Sequence, residues 1–142
     1  MKEDGMSEQE ARNINPDAGL NKDEITRLGI RLVEEQGDPA SGLQCFEKLL
    51  LHDPWDYLSL NNKAHCLLAM SRIEEARDAC MASIIIEPRL GITWCTLGEI
   101  QATCNEICNA RLCLQTALKY ANGNPKIIEP AQRLLDKLST QK

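Results

Sequence analysis

The chain has 142 residues, which suffices for one small domain with a modest hydrophobic core. Its formal net charge of −5 argues against the basic surface that binding to nucleic-acid phosphates requires. No apolar run approaches the roughly 20 residues that a helix needs to cross a bilayer, so we expect no membrane insertion. Aromatic residues make up only 4% of the sequence, which favours a core of aliphatic and small side chains between helices.

The cysteines indicate the redox environment of the protein. There are seven of them, at positions 45, 66, 80, 95, 104, 108 and 113. The first residues, Met1 to Gly5, lack the apolar stretch of a signal peptide. An odd number of cysteines without such a peptide predicts free thiols in a reducing compartment. We therefore expect a cytoplasmic protein.

The N-terminal residues 1–21 are polar and have no sustained hydrophobic period. Asparagine, proline and glycine interrupt any helix between positions 13 and 19. We expect a flexible arm over 1–21. The alternative is a segment that becomes ordered on dimerisation or on partner binding.

Helix signals begin immediately after this arm. Asn21, with Glu24 three residues later, predicts a capped helix that runs to about Gln36. The sequence Gly37-Asp38-Pro39 predicts a left-handed helix end, a new N-cap and a proline in the first helical turn. The second helix is then expected to run to about His52.

Two further helices are predicted by similar signals. Asp53-Pro54 predicts the start of the third helix, which continues to about Met70. Ser71 and Glu74 have the spacing of a capping box and predict the start of the fourth helix. This helix is expected to end near Ile86, before a proline.

The last three helices are predicted over about 89–103, 106–120 and 125–138. The turn sequence Asn122-Gly123-Asn124-Pro125 separates the final two. The final helix carries an apolar stripe and an opposite charged face, as a helix with one buried side does. The stripe consists of Ile127, Ile128, Ala131, Leu134, Leu135 and Leu138.

Residues of similar size recur with a period of 34. Ala64 is followed 34 residues later by Gly98, and Ala76 by Ala110. Small residues at these positions allow two helices to approach closely. Ile30 occupies the position of Ala64 in the first unit. Each unit is a helix, a turn and a second helix, which cannot bury its apolar face alone, so the units must stack.

This pattern resembles the tetratricopeptide-repeat (TPR) family. The resemblance is carried by Gly37, Asp38, Phe46 and Pro54 in the first unit, by Ala64, Leu67, Ala76, Ser83 and Pro88 in the second, and by Trp94, Leu97, Gly98, Ala110, Leu114 and Ala117 in the third. It implies an all-α TPR domain over 22–139, built as a right-handed superhelix of three helix pairs, 23–56, 57–90 and 91–124, with a capping helix at 125–138. Trp94 is expected in the core.

In the TPR family the first helix of each pair lines a concave groove that binds protein segments. The resemblance therefore implies a non-enzymatic protein-interaction module that holds an extended peptide and needs no cofactor. The groove residues that it implies are Arg27, Arg31, Leu58, Asn61, Asn62, His65, Ile92, Cys95, Thr96 and Glu99, with Glu24 and Glu34 at equivalent positions.

Three peptide-binding roles remain open within that family. Chaperone-binding members hold a C-terminal carboxylate with a clamp of basic and amide side chains. Arg27, Arg31 and Asn62 fit that clamp, whereas Ile92 and Thr96 replace its two third-unit basic residues. A generic adaptor or scaffold is the second possibility.

The third possibility, which the layout of the chain fits better than the other two, is the subgroup of bacterial type III secretion translocator chaperones. These proteins are short and acidic, with three repeats, a variable N-terminal arm and a terminal helix. The stretches 52–56, 87–89 and 117–138 are similar to theirs. This resemblance implies a groove for a hydrophobic secreted protein, and an N-terminal region that mediates a homodimer.

Catalysis and metal binding are weakly indicated. His65 and Cys66 are adjacent, so on a helix they point about 100° apart and form no nucleophile–base pair. The chain also lacks a glycine-rich phosphate loop. Cys104 and Cys108 lie near two further cysteines, and four thiols in one repeat could bind zinc. The Cys-x-x-Cys spacing is missing, however, so zinc binding is the least favoured hypothesis.

Overall fold

A computed structural model describes residues 19–140, and this part of the chain contains seven α-helices and no strand. The helices are α1 (Lys22–Glu34), α2 (Pro39–His52), α3 (Tyr57–Ala69), α4 (Ile73–Ile86), α5 (Gly91–Thr103), α6 (Ile107–Lys119) and α7 (Pro125–Leu138). Positions 1–18 of the predicted arm lie outside the described residues. Each helix within residues 19–140 is too short or too polar to span a bilayer.

The helices pack in sequential pairs. α1 packs on α2, α3 on α4 and α5 on α6, and each pair stacks on the next. α7 packs against both helices of the third pair. The all-α arrangement of three helix pairs and a closing helix is therefore confirmed.

The turn within each pair has the same backbone geometry. Gly37, Ser71 and Asn105 are spaced 34 residues apart and have φ angles of 62°, 61° and 62°. This left-handed conformation reverses the chain after the first helix of each unit. The Arg72 N–H donates to the Leu67 carbonyl at 2.9 Å and completes the turn in the second unit.

Two predicted helix starts are wrong. α3 begins at Tyr57, with Asp56 rather than Asp53 as its N-cap. The Asp53 carboxylate instead accepts a hydrogen bond from the Trp55 N–H within the preceding turn, at 3.1 Å. Ser71 forms no capping box, because its left-handed conformation belongs to the end of α3. Arg72 occupies the N-cap position of α4 without a side-chain cap bond.

Other predicted caps are confirmed. Asn21 and Glu24 form a reciprocal capping box at 2.9 and 3.0 Å. The Asp38 carboxylate accepts a hydrogen bond from the Ser41 N–H at 3.1 Å. Asn124 caps α7 by accepting from the Lys126 N–H at 3.0 Å. These bonds satisfy N–H groups that a helix start leaves free.

The core forms two clusters, one along the three helix pairs and one between the third pair and α7. Both consist mainly of aliphatic residues and cysteines, and Phe46 is the largest fully buried side chain. Trp94 was predicted to be a core residue, but it is only half-buried. Its indole Nε1–H donates to the Pro88 carbonyl at 2.7 Å, which keeps one edge of the ring at the surface. The prediction for Trp94 is therefore corrected to a boundary position.

The seven cysteines are free, and five of them are buried. Burial raises the pKa of Cys66 and of Cys80 to about 12, so both remain protonated at neutral pH. They act as small apolar side chains in the core.

Candidate functional site

α1 has a register that differs by one residue from that of α3 and α5. Met70 at the end of α3 is followed directly by left-handed Ser71, but Glu35 at the end of α1 is separated from left-handed Gly37 by one residue. The close approach in the first unit consequently falls on Gly29. A Cβ atom there would lie 2.7 Å from Cζ of Phe46. Since one residue corresponds to about 100° of helix rotation, α1 presents a different stripe from the one that the period predicts.

A cavity of about 320 Å³ lies on the face formed by α1, α3 and α5, and extends to the start of α7. We call this face the groove and this space the first cavity. Its lining residues are Ile30, Val33, Glu34, Phe46, Asn61, Asn62, His65, Ile92 and Lys126. The first helix of every unit therefore contributes to it.

The polar part of the first cavity is organised around Thr96. Its buried hydroxyl lies 2.9 Å from Nε2 of His65, 3.3 Å from Oδ1 of Asn61 and 3.0 Å from the carbonyl of Ile92. Burial lowers the pKa of His65, although the Glu34 carboxylate acts in the opposite direction. The imidazole is therefore neutral at pH 7, and this network carries no formal charge.

The formal charges of the first cavity are balanced. Glu34 from α1 and Lys126 from α7 both line it. The remaining walls are largely apolar and come from Ile30, Val33 and Ile92. The cavity thus combines an apolar surface with hydrogen-bonding groups and has no net formal charge.

A second cavity of about 300 Å³ lies further along the groove, between α5 and α7. Its lining residues are Glu99, Ala102, Thr103, Leu134, Lys137 and Leu138. Burial raises the pKa of Glu99. The Glu99 carboxylate receives no hydrogen bond and has no ion-pair partner within 4.0 Å among residues 19–140.

A larger depression of about 520 Å³ shares no residue with either cavity. It lies beside α2, where Leu50 and Leu51 are flanked by long polar side chains such as Gln44 and Glu47, and it includes no residue of α1 or α5. Flexible side chains of this kind do not hold a preformed site. We therefore place the candidate site in the groove.

The structure distributes the predicted groove residues among several environments. Asn61, Asn62, His65 and Ile92 meet in the first cavity, and Glu99 lines the second. Cys95 and Thr96 are buried. Arg27, Arg31 and Leu58 line neither cavity, and Leu58 is 50% exposed.

Ile30, Val33, Phe46 and Lys126 line the first cavity but were missed by the sequence reading. The offset of α1 explains the first two residues. A large residue at Ile30, where the other units have Ala64 and Gly98, was the available signal for this offset. Lys126 had no comparable signal, because the repeat pattern does not fix the position of α7.

The structure also bears on metal binding. Within residues 19–140, no three side chains of the His, Cys, Asp or Glu types are grouped so that they could hold a metal ion. Cys95 and Cys113 are buried and Cys108 is exposed. Burial raises the pKa of Cys95 to about 11, so this thiol is protonated at neutral pH in the metal-free chain.

No protein-family model and no curated protein sequence matches this chain. Solved structures do match it. The type III secretion translocator chaperone SycD of Yersinia enterocolitica, in an alternative dimer, is 15% identical, with a TM-score of 0.76 over 89% of this chain and 98% of that one. SycD in complex with a peptide of the translocator YopD is also 15% identical, with a TM-score of 0.72 over 84% and 92% of the two chains.

A third match comes from a different group of proteins. The first TPR domain of Spaghetti (RPAP3), bound to the HSP90 peptide SRMEEVD, is 16% identical, with a TM-score of 0.73 over 84% of this chain and 90% of that one. These likenesses cover 84% to 89% of this chain. Residues 19–140 of the chain therefore have the tetratricopeptide-repeat fold.

Proposed function

We propose that this protein is a non-enzymatic binding module that holds an extended segment of a partner protein in its groove. The observation that carries the proposal is the first cavity, to which the first helices of all three units contribute. A continuous site across three units suits a ligand that is long and thin. An extended peptide has that shape and presents its backbone groups along its length.

The lining of the first cavity indicates what such a segment should contain. Ile30, Val33 and Ile92 offer an apolar wall for one aliphatic or aromatic side chain. Asn62, which is half-buried at the same cavity, can donate to and accept from a peptide backbone. We therefore propose an apolar anchor residue in an otherwise extended segment.

A carboxylate clamp fits this groove less well. The offset of α1 leaves Arg31 outside the cavity lining, and Thr96 is engaged in the buried polar network. Glu34 also offsets the charge of Lys126. A peptide carboxylate would thus lack the charge-assisted hydrogen bonds that dominate its affinity.

Within this class, the role that we favour is that of a type III secretion translocator chaperone, which would keep an apolar segment of a secreted protein soluble. The apolar first cavity and the likeness to SycD support this choice. A generic adaptor remains the alternative. We further propose a cytoplasmic location and a homodimer. Light scattering of the purified protein measures its molar mass and tests the homodimer directly.

Selection of peptides from a random dodecapeptide phage library tests the binding function. We expect wild-type protein to enrich peptides with an aliphatic or aromatic anchor. A selected peptide, labelled with a fluorophore, is then titrated by anisotropy. Ile92→Asp should weaken its binding about tenfold or more, or roughly 1.4 kcal/mol, because it places a charge in the apolar wall.

Leu112→Asp is the matched control, because Leu112 is 62% exposed on α6 and lines neither cavity. Its affinity should equal that of the wild type. Failure to enrich any peptide would reject the proposed function. Saturable binding of SRMEEVD that is lost in both Arg27→Ala and Asn62→Ala would instead establish a clamp.

Capture from host lysate separates the two favoured roles. A membrane-active secreted protein that binds wild type but not Ile92→Asp would support the translocator chaperone. A set of unrelated cytoplasmic proteins would favour the generic adaptor.

A further inference from the structure

We infer that Glu99 forms a second subsite of the groove, which selects a basic side chain about three residues from the apolar anchor of the bound segment. The inference rests on the proposed function. The Glu99 subsite would require a positive charge on the bound segment, whereas the first cavity requires none.

The Glu99 carboxylate lacks a partner among residues 19–140 of the folded chain. This side chain is half-buried in the second cavity, beside Leu134 and Leu138. It has no hydrogen-bond donor or cation within bonding distance in the described part of the chain. A carboxylate that is partly removed from water without a partner destabilises the free protein. A lysine or arginine from a ligand would supply the missing charge-assisted hydrogen bonds.

Among residues 19–140, Lys137 is the one basic residue that lines the same cavity. It is exposed, and it does not form an ion pair with Glu99 within 4.0 Å. An exposed ammonium group gains little from such a pair, because it loses hydration and side-chain freedom. Glu99 is thus available to a cation that a bound segment holds in place.

The two cavities are spaced so that one extended segment can reach both. Ile92 in the first cavity and Glu99 in the second lie seven residues apart on α5. Two turns of helix correspond to about 10 Å along the axis. An extended chain covers that distance in about three residues. A single segment can therefore place an apolar side chain in one cavity and a basic side chain in the other.

The test compares dodecapeptide libraries selected on three proteins: wild type, Glu99→Gln and Glu129→Gln. Glu129 is exposed on the outer face of α7 and lines neither cavity, so its variant is the control for loss of a carboxylate. Wild type and Glu129→Gln should enrich lysine or arginine about three positions from the anchor. Glu99→Gln should retain the anchor and lose the basic residue.

Affinity and stability provide two further readouts. A peptide selected on wild type should bind Glu99→Gln about tenfold more weakly. Replacing its basic residue by methionine should abolish the difference between the two proteins. Without peptide, Glu99→Gln should raise the Tm at pH 7, because it removes a partly buried charge that lacks a partner.

The possible failures can be told apart. Enrichment of the anchor alone by all three proteins would overturn the inference about Glu99 and leave the proposed function intact. Equal binding of the basic peptide by wild type and Glu99→Gln would do the same. A library that enriches nothing on wild type would reject both proposals.

Discussion

Three residues in equivalent turns adopt the same left-handed conformation at different energetic cost. Gly37 does so without penalty, since it has no Cβ atom. Asn105 is a residue type that visits this region fairly often. Ser71 has neither advantage, and the conformation costs an ordinary L-residue about 1–2 kcal/mol. The second turn therefore stores strain that its hydrogen bonds must offset.

We predict that Ser71→Gly increases the free energy of unfolding by about 0.5–1 kcal/mol. The gain is smaller than the relieved strain, because glycine also increases the entropy of the unfolded chain. Asn105→Gly should give a smaller gain. Urea denaturation followed by circular dichroism measures both changes.

Gly37→Ala is the reciprocal control and should lower the free energy of unfolding by about 1 kcal/mol. A Cβ atom at this position has no neighbour within 4 Å, so any loss reports backbone strain rather than a clash. An unchanged midpoint for both Ser71→Gly and Gly37→Ala would show that these turns are not strained.

At the scale of helices, the sequence predicted all seven elements because their end signals are local. Asn21, Gly37 and Asn124 each act within a few residues of their own position. The rotation of α1 was not predictable in the same way. The left-handed residues of successive turns are 34 residues apart, so the period describes the turns. It does not reveal that α1 ends one residue early relative to its turn.

This offset decides which side chains form the groove. Ile30 and Val33, rather than Arg31, line the first cavity. The register of α1 is set by packing, because only a glycine at position 29 leaves room for the ring of Phe46. A prediction based on the period alone therefore assigns too many basic residues to the lining of the groove. An error of one residue in the register of a helix leaves the predicted fold class correct, but it changes which side chains are assigned to the candidate site.

The start of α3 links two units. The Asp56 carboxylate accepts hydrogen bonds from the N–H and hydroxyl of Ser59, at 3.3 and 2.8 Å. It also lies 3.2 Å from Nζ of Lys22 at the start of α1. Burial raises the pKa of Asp56, but these contacts outweigh it and hold the pKa below the usual value of 3.8. One side chain thus caps a helix and ties it to the preceding unit.

We predict that Asp56→Ala lowers the free energy of unfolding by about 2 kcal/mol at pH 7, since it removes the cap and leaves neighbouring donors unpaired. The effect should shrink as the pH falls below 3.8, where protonation removes the advantage of the folded carboxylate. Urea titrations across this pH range measure it.

Asp53→Ala is the matched control, because Asp53 is exposed and its carboxylate caps no helix N-terminus; its backbone, which the substitution leaves in place, ends α2. It should cost less than about 0.5 kcal/mol. Equal losses for the two variants would contradict Asp56 as the cap of α3.

At the scale of the whole molecule, stability depends on the closing helix. A stack of helix pairs leaves an apolar face at its end, and α7 covers that face here. Ile127, Ala131 and Leu138 of α7 are buried with Leu114 and Ala117 of α6. The charged residues of α7 remain exposed, as the sequence predicted. Because α7 also lines both cavities, its docking supports the groove as well as the core.

We therefore predict that Ala131→Asp destabilises the entire chain rather than α7 alone. Ala131 is fully buried, so the new carboxylate would lack both water and a partner. Such a change belongs to the class that costs about 4 kcal/mol or more, which is a large part of the total stability of a small domain.

Ala131→Ser should give a smaller loss of the same kind, and Gln132→Asp, at an exposed position, should have little effect. Tryptophan fluorescence reports tertiary unfolding mainly through Trp94 on α5, because Trp55 is already 71% exposed in the folded chain, and circular dichroism reports helix content. Both probes should show one transition at the same lowered urea midpoint. A loss of helix signal while Trp94 unfolds at the wild-type midpoint would instead mean that α7 separates from a stack that is stable without it.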